Sequence, residues 1–400
     1  MKKLLFISAA ALGLAASAQV GPEVTTWLQN TTQTGYSGIT SNCQLVQYST
    51  NNVYVSCTCI PAYSIGPWTG NPNVASNQNF VYKITRNPQQ NTGTATSVGL
   101  GHIGVWSNGV SIFNVSDGMS YNNAGVWNRN AYYWEGSSFD NCLGHPQQSG
   151  EYHHHVSPTC LYDQTDSTHH SPIIGYAFDG FPIYGAYAYA NTNGTGAIKR
   201  MVPSYTLTTS TTRTNGPAVS GSYPLGCFME DYIYTAGYGD LDARNGRFCV
   251  TPEYPNGTYC YFATLDAQLN PAFPYTFYKT YYGVVQSGNT NNGGHNTITE
   301  STTVYSGSSG ISNNEKEIVF EFYPNPAKDY GYIYIDPSSK NNMKMHLYNA
   351  LGEKIQSYEN IQPSISYTLD FTKLSPGIYY LHVTSEDGKE VQKQKILIAK

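Results

Sequence analysis

The chain has 400 residues, of which only 12% are charged, and its formal net charge of −5 comes without a basic block, which excludes nucleic acid as an expected partner. Its 36 tyrosines sit among Asn, Thr, Ser and Gly, so most polar contacts run through neutral groups, and Tyr and Thr favour strands. This composition reads as mostly β and extracellular, in a chain long enough for two or more domains.

Met1-Lys2-Lys3 is a short basic stretch, Leu4 to Ala16 is apolar, and Ala16-Ser17-Ala18 supplies small residues. That layout predicts a secretory signal peptide over residues 1–18, cleaved after Ala18. The apolar run is too short for a stable membrane span, and no other stretch approaches one, so no transmembrane segment is expected in the mature chain. Residues 19–284 then read as a cysteine-bearing β domain with its core at about 75–280. All eight cysteines lie there, which in an exported chain points to disulfides. Cys142–Cys160, bracketing a histidine cluster, and Cys249–Cys260, closing a short loop, are the expected pairs. No C-x2-C pair exists to favour a thiolate metal site.

The body contains an internal echo. Ile103-Gly104-Val105-Trp106-Ser107-Asn108-Gly109-Val110-Ser111-Ile112-Phe113 aligns without a gap on Ile174-Gly175-Tyr176-Ala177-Phe178-Asp179-Gly180-Phe181-Pro182-Ile183-Tyr184. Each reads as strand, turn, strand, with Asn-Gly or Asp-Gly suggesting a two-residue type I′ connection. Asp140–His145 then parallels Asp242–Arg247, and Gly150–His155 parallels Gly257–Phe262. Two related β halves packed together are therefore expected in the main domain.

Six of the ten histidines fall between positions 145 and 170. On a strand alternate side chains share a face, so His153 and His155 project together and His154 points away. H-x-H lets two imidazoles reach one divalent ion. His145, folded back by the turn at Ser149-Gly150, is the expected third ligand, and His170 is a candidate fourth. Imidazole donors suit a divalent transition metal, Cu or Zn foremost. Asp140, Glu151 and Asp179 are the expected acceptors for the outward ring N–H groups. If the site is catalytic, Tyr152 or Asp179 is the expected proton carrier. The second half carries Arg247, Cys260 and Phe262 where the first has His145, His153 and His155, an asymmetry expected if the first half holds a site and the second is scaffold. A non-catalytic surface module binding glycan or protein, with a structural histidine cluster, is the alternative. No G-x-S-x-G elbow, phosphate loop or dinucleotide fingerprint is present.

Residues 285–316 are rich in Gly, Ser, Asn and Thr and read as a flexible linker. Beyond it, residues 317–400 show strand patterns at Ile318–Tyr323, Tyr330–Ile335, Lys344–Tyr348, Ser366–Phe371, Gly377–Val383 and Gln394–Ile398. Such short strands predict a small Ig-like β-sandwich.

Two resemblances follow from these residues. Phe139–Pro146, Gly150-Glu151-Tyr152-His153-His154-His155, and His170–Gly185 resemble the core of the YHYH domain family, with Leu241–Arg247 and Gly257-Thr258-Tyr259 similar to its distal part. His154 stands where the motif has its second tyrosine. The family carries no settled activity, so the resemblance sharpens the site and leaves the reaction open. Tyr323-Pro324-Asn325-Pro326, Leu347–Gly352, Leu374–Tyr379 and Lys393–Lys400 resemble the C-terminal sorting domain of type IX secretion. That resemblance implies the type IX machinery as a partner of residues 317–400, and export across both membranes to the cell surface or medium.

Overall fold

The computed structural model describes residues 20–30, 32–291, 293–305, 320–335, 343–362, 366–385 and 390–400. The expected signal peptide lies outside the described residues. The chain divides into two units, 1–308 and 309–400, and each is described by itself. No helix among the described residues is long and apolar enough to cross a membrane.

In the first unit the main strands are β1 (Cys43–Tyr48), β2 (Asn52–Cys57), β3 (Phe80–Thr85), β4 (His102–Trp106), β5 (Ser111–Phe113), β6 (Gly144–Pro146), β7 (Tyr152–His154), β8 (Ile173–Ala177), β9 (Pro182–Tyr184), β10 (Gly246–Cys249), β11 (Thr258–Phe262) and β12 (Thr303–Tyr305). They form a four-stranded sheet, β12-β1-β2-β3, and an eight-stranded sheet, β10-β11-β9-β8-β4-β5-β7-β6. One apolar core joins the two: Val46, Val55, Tyr82 and Ile84 from the smaller sheet pack with Ile103, Val105, Ile112, Tyr176, Ile183 and Tyr261 from the larger. β3 shows why it faces this core, since Phe80, Tyr82 and Ile84 alternate with less buried neighbours.

The larger sheet is symmetric about its centre. β4 and β8 pair antiparallel there, with Val105 opposite Tyr176, Gly104 opposite Ala177 and Trp106 opposite Gly175. Repeat-equivalent residues thus meet across a local two-fold axis. A side chain at Gly104 would strike the Tyr176 carbonyl at 2.7 Å, and one at Gly175 the Val105 carbonyl at 2.6 Å. Outward from the centre, β5 pairs in parallel with β7, and β9 in parallel with β11. Ile112 lies opposite His154 as Ile183 lies opposite Tyr261. The two expected halves are present, strand for strand.

Their hairpins differ from the type I′ form. Gly109 and Gly180 have φ of 81° and 89°, whereas the preceding Asn108 and Asp179 are not left-handed. The Gly109 N–H returns to the Trp106 carbonyl at 2.8 Å and the Gly180 N–H to the Ala177 carbonyl at 2.9 Å. Each connection is therefore the longer kind, in which a tight turn is followed by one left-handed glycine.

Residues 285–305, expected to be linker, belong to the first unit. Asn289 is fully buried. Its amide exchanges hydrogen bonds with the backbone of Lys83. β12 adds an edge to β1, with Val46 opposite Tyr305. The polar side chains that suggested a solvated linker are spent on these backbone contacts; residues 306–316 lie outside the described residues.

Cys142 and Cys160 are joined as expected. Cys249 and Cys260 are free thiols instead. In the register of β10 and β11, Cys249 faces Thr258 and Cys260 faces Arg247. The two thiols are thus diagonal neighbours, a longer separation than directly opposed residues have.

The second unit contains β13 (Phe320–Tyr323), β14 (Tyr330–Ile335), β15 (Met343–Asn349), β16 (Lys354–Ile361), β17 (Ser366–Asp370), β18 (Gly377–Ser385) and β19 (Glu390–Ile398). Sheets β13-β14-β17 and β16-β15-β18-β19 enclose Phe322, Ile333, Leu369, Met345, Leu347, Leu381 and Ile396. β16 is the strand the sequence reading missed, because its exposed residues hide the alternation.

The Cys142–Cys160 bond closes an 18-residue separation that contains β6 and β7. Replacing both cysteines by serine should therefore cost about 3 kcal/mol through the freed unfolded chain. Urea unfolding should show a lower midpoint, with a steeper slope as the denatured chain expands; an unchanged midpoint refutes this.

Candidate metal centre

β6 and β7 are the outermost pair of the first half, and they place His145 directly opposite His153. Alternation along Tyr152–His155 then separates two faces. Tyr152 and His154 turn to one side, where the Tyr152 hydroxyl donates to Asp140 at 3.0 Å and lies 3.4 Å from His154 Nε2. His153 and His155 turn to the other, with ring centroids 4.9 Å apart. His153 also stacks on Phe113 at 3.7 Å. His145, His153 and His155 are all buried, and one ligand atom from each lies within 4.8 Å of the others.

The outer hydrogen bonds decide which nitrogen each ring presents. His153 Nδ1 lies 3.1 Å from the Glu151 carbonyl. His155 Nδ1 faces the Asn114 carbonyl. A carbonyl only accepts, so both rings carry their proton on Nδ1. His145 Nδ1 lies 2.8 Å from Ser138 Oγ. That hydroxyl already donates to the Glu135 carbonyl at 2.8 Å, so it accepts from His145. Three Nε2 lone pairs therefore converge. His153 Nε2 and His155 Nε2 are 3.1 Å apart, and His145 Nε2 is buried with no hydrogen-bond partner. Facing lone pairs repel unless a cation lies between them.

Burial, reinforced by neighbouring imidazoles, keeps His145, His153 and His154 neutral. It pushes His145 down to about 4, His154 down to about 3, and His153 well below the usual range. Neutral imidazole is the form that binds metal. The centre lies on the wall of a cavity of about 630 Å³ that also includes Asn71, Asp117, Trp134, Glu135 and Gln148.

Other expected site residues lie elsewhere. His170 is not a fourth ligand. It precedes β8 at the opposite end of the central strands, with its ring against Tyr184 at 4.9 Å and Tyr189 at 5.2 Å. Tyr152 cannot carry protons at the centre, because its fully buried side chain points to the other face. Asp179 sits in the second-half hairpin, where it accepts from the Tyr261 hydroxyl at 2.6 Å and the Gly283 N–H at 2.8 Å. The expected carboxylate acceptors are also replaced. Asp140 accepts from Tyr152, Trp68 and the Gly66 N–H. Glu151 serves His153 through its backbone, while its carboxylate holds His102 at 3.0 Å.

Glu135 is the residue the sequence reading missed. It caps the helical turn Ala131–Trp134. Its Oε2 lies 3.1 Å from His155 Nε2 and 3.6 Å from His145 Nε2. No spacing rule links it to the histidines.

Because His145, His153 and His154 refuse protons in the fold but accept them near pH 6.5 when unfolded, metal-free protein should lose stability as pH falls from about 6.5 towards 4. Asp179, pushed up to about 6 by burial, gains stability in the same direction, so a variant must isolate the histidine contribution. His154→Phe should flatten the fall in melting temperature between about pH 7 and pH 5. An identical decline in both proteins would contradict it.

Residues 81–274 match the family model of YHYH proteins, and residues 321–399 match the secretion system C-terminal sorting domain. No curated protein matches the chain. Among solved structures, dimeric latent PorU from Porphyromonas gingivalis is 19% identical over 25% of this chain and 10% of its own, with a TM-score of 0.18. PorZ, an essential bacterial surface component of the type-IX secretion system of the same organism, is 12% identical over 88% of this chain and 59% of its own, with a TM-score of 0.18. The chain thus spans less than two thirds of either protein. The sorting domain marks it for type IX export to the cell surface or extracellular space. The chain thus carries a region matching YHYH proteins, residues 81–274, followed by a type IX secretion C-terminal sorting domain, residues 321–399.

Proposed function

We propose that this exported protein is a metalloprotein that holds one divalent transition-metal ion on His145, His153 and His155, and that the ion acts on a ligand entering the adjoining cavity. The observation that carries the reading is the convergence of three Nε2 lone pairs whose opposite nitrogens are tied to two carbonyls and a hydroxyl. Three imidazoles from two adjacent strands match catalytic-type sites, which use three protein ligands and keep a position open. An all-nitrogen triad without thiolates suits Zn or divalent Cu. When bound, such an ion supplies Lewis acidity and lowers the pKa of coordinated water.

The chain's own residues prepare this chemistry. Phe113 walls the His153 ring and limits water there. The Glu151 and Asn114 carbonyls fix the tautomers, so ligand nitrogens need no rearrangement when the ion arrives. The Cys142–Cys160 bond ties the turn before β6 to the segment after His155.

Untagged, chelator-treated protein should take up about one equivalent of Zn or Cu, the stoichiometry of a single centre. At a free-metal concentration about a hundred times Kd, stability should rise by about 2.7 kcal/mol. The His153→Ala/His155→Ala double variant should lose both effects, and His154→Ala should keep them. Absence of uptake by the wild type, or uptake by the double variant equal to it, refutes the proposal.

A further inference from the structure

We infer that Glu135 is the fourth protein ligand of this centre, making it a three-imidazole, one-carboxylate site. The inference rests on the metal reading above and revises it: a Glu135 carboxylate would take the position left open there, so an entering ligand would have to displace it or expand the coordination to five.

Glu135 Oε2 is buried and has no hydrogen-bond partner. Its near neighbours are His155 Nε2 at 3.1 Å and His145 Nε2 at 3.6 Å. With both rings neutral and protonated on Nδ1, these nitrogens bear lone pairs and neither offers Glu135 a proton. A carboxylate oxygen removed from water without a donor is costly, and the cost is largest for a charged group. Glu135 Oε2 thus faces two of the three ligand nitrogens, and a cation held between them would give it the partner it lacks.

The distances fit an ion. Donors about 2.05 Å from a tetrahedral centre stand about 3.3 Å from one another. The observed edges are 3.1 Å for His153–His155, 3.1 Å for His155–Glu135 and 3.6 Å for His145–Glu135, on both sides of that value. The backbone reinforces the arrangement. The Glu135 carbonyl accepts from Ser138 Oγ, the same atom that receives the His145 Nδ1 proton. One residue therefore fixes the tautomer of a neighbouring ligand through its main chain and faces the ion through its side chain. The Glu135 side chain is 31% exposed, so it also reaches the cavity. A buried ion pair between Glu135 and a doubly protonated His155 is the competing account, and it needs no metal.

The test uses full-length mature protein and Co²⁺ as a visible probe, with Glu135→Gln beside the wild type. Loss of a direct ligand should weaken Co²⁺ binding at least about tenfold, since even outer-sphere changes cost ten- to a hundredfold. The visible band intensity should change with the donor set. Retention of Co²⁺ by Glu135→Gln with unchanged affinity and spectrum overturns Glu135 as a ligand and leaves the histidine reading intact. Failure of the wild type to bind Co²⁺, Zn²⁺ or Cu²⁺ overturns both and favours the ion pair. Should Glu135→Gln fold poorly by circular dichroism, a crystal structure of the Co²⁺-loaded wild type decides. A Glu135 oxygen about 2.0–2.2 Å from the ion supports the inference, and one beyond about 3 Å overturns it.

Discussion

The antiparallel contact between β4 and β8 is the constraint on which the rest of the larger unit depends. Val105 faces Tyr176 across it, flanked by Gly104 and Gly175. A side chain at either glycine would meet a carbonyl of the opposite strand at under 3 Å. Once that contact is set, each half must grow outwards through a parallel pairing to an outer antiparallel pair. The histidine cluster is therefore an edge feature, placed by a symmetric core. It lies on the outermost strands, where the cavity can reach it.

The two halves separate framework from chemistry by alternation. Tyr152 and Tyr259 both donate to an aspartate, Asp140 and Asp242, that clasps the turn before the outer strand. The same aspartates accept the N–H groups of Gly144 and Gly246. A side chain at either glycine would collide with its tyrosine hydroxyl at 2.4 Å, so both positions stay bare. The intervening positions are free of this duty. In the first half they hold His153 and His155; in the second they hold Cys260 and Phe262. Arg247 stands in the position of His145 and donates to the Tyr189 carbonyl. One face of the strand keeps the fold, and the other carries clustered histidines in one half only.

Much of this was legible. The two-residue period of a strand brought His153 and His155 together and set His154 apart, as the structure has them. The turn at Gly150 correctly returned His145 to them. Other features required tertiary structure. Glu135 comes from a separate helical turn, so no local periodicity ties it to the strand. His170 and Asp179 were near the cluster in sequence but belong to the second half, which the crossing at β8 carries away. Residues 285–305 looked like linker because amide-rich composition does not distinguish solvated side chains from those bonded to backbone, as Asn289 and Asn296 are.

The late addition of β12 to β1 has a consequence for biosynthesis. Val46 waits for Tyr305, so the first sheet cannot acquire its last neighbour until nearly the whole unit has been synthesised. Pairings this remote close slowly, since the loop entropy must be overcome before the bonds form. Until then Cys43–Tyr48 is an open edge, able to recruit another chain.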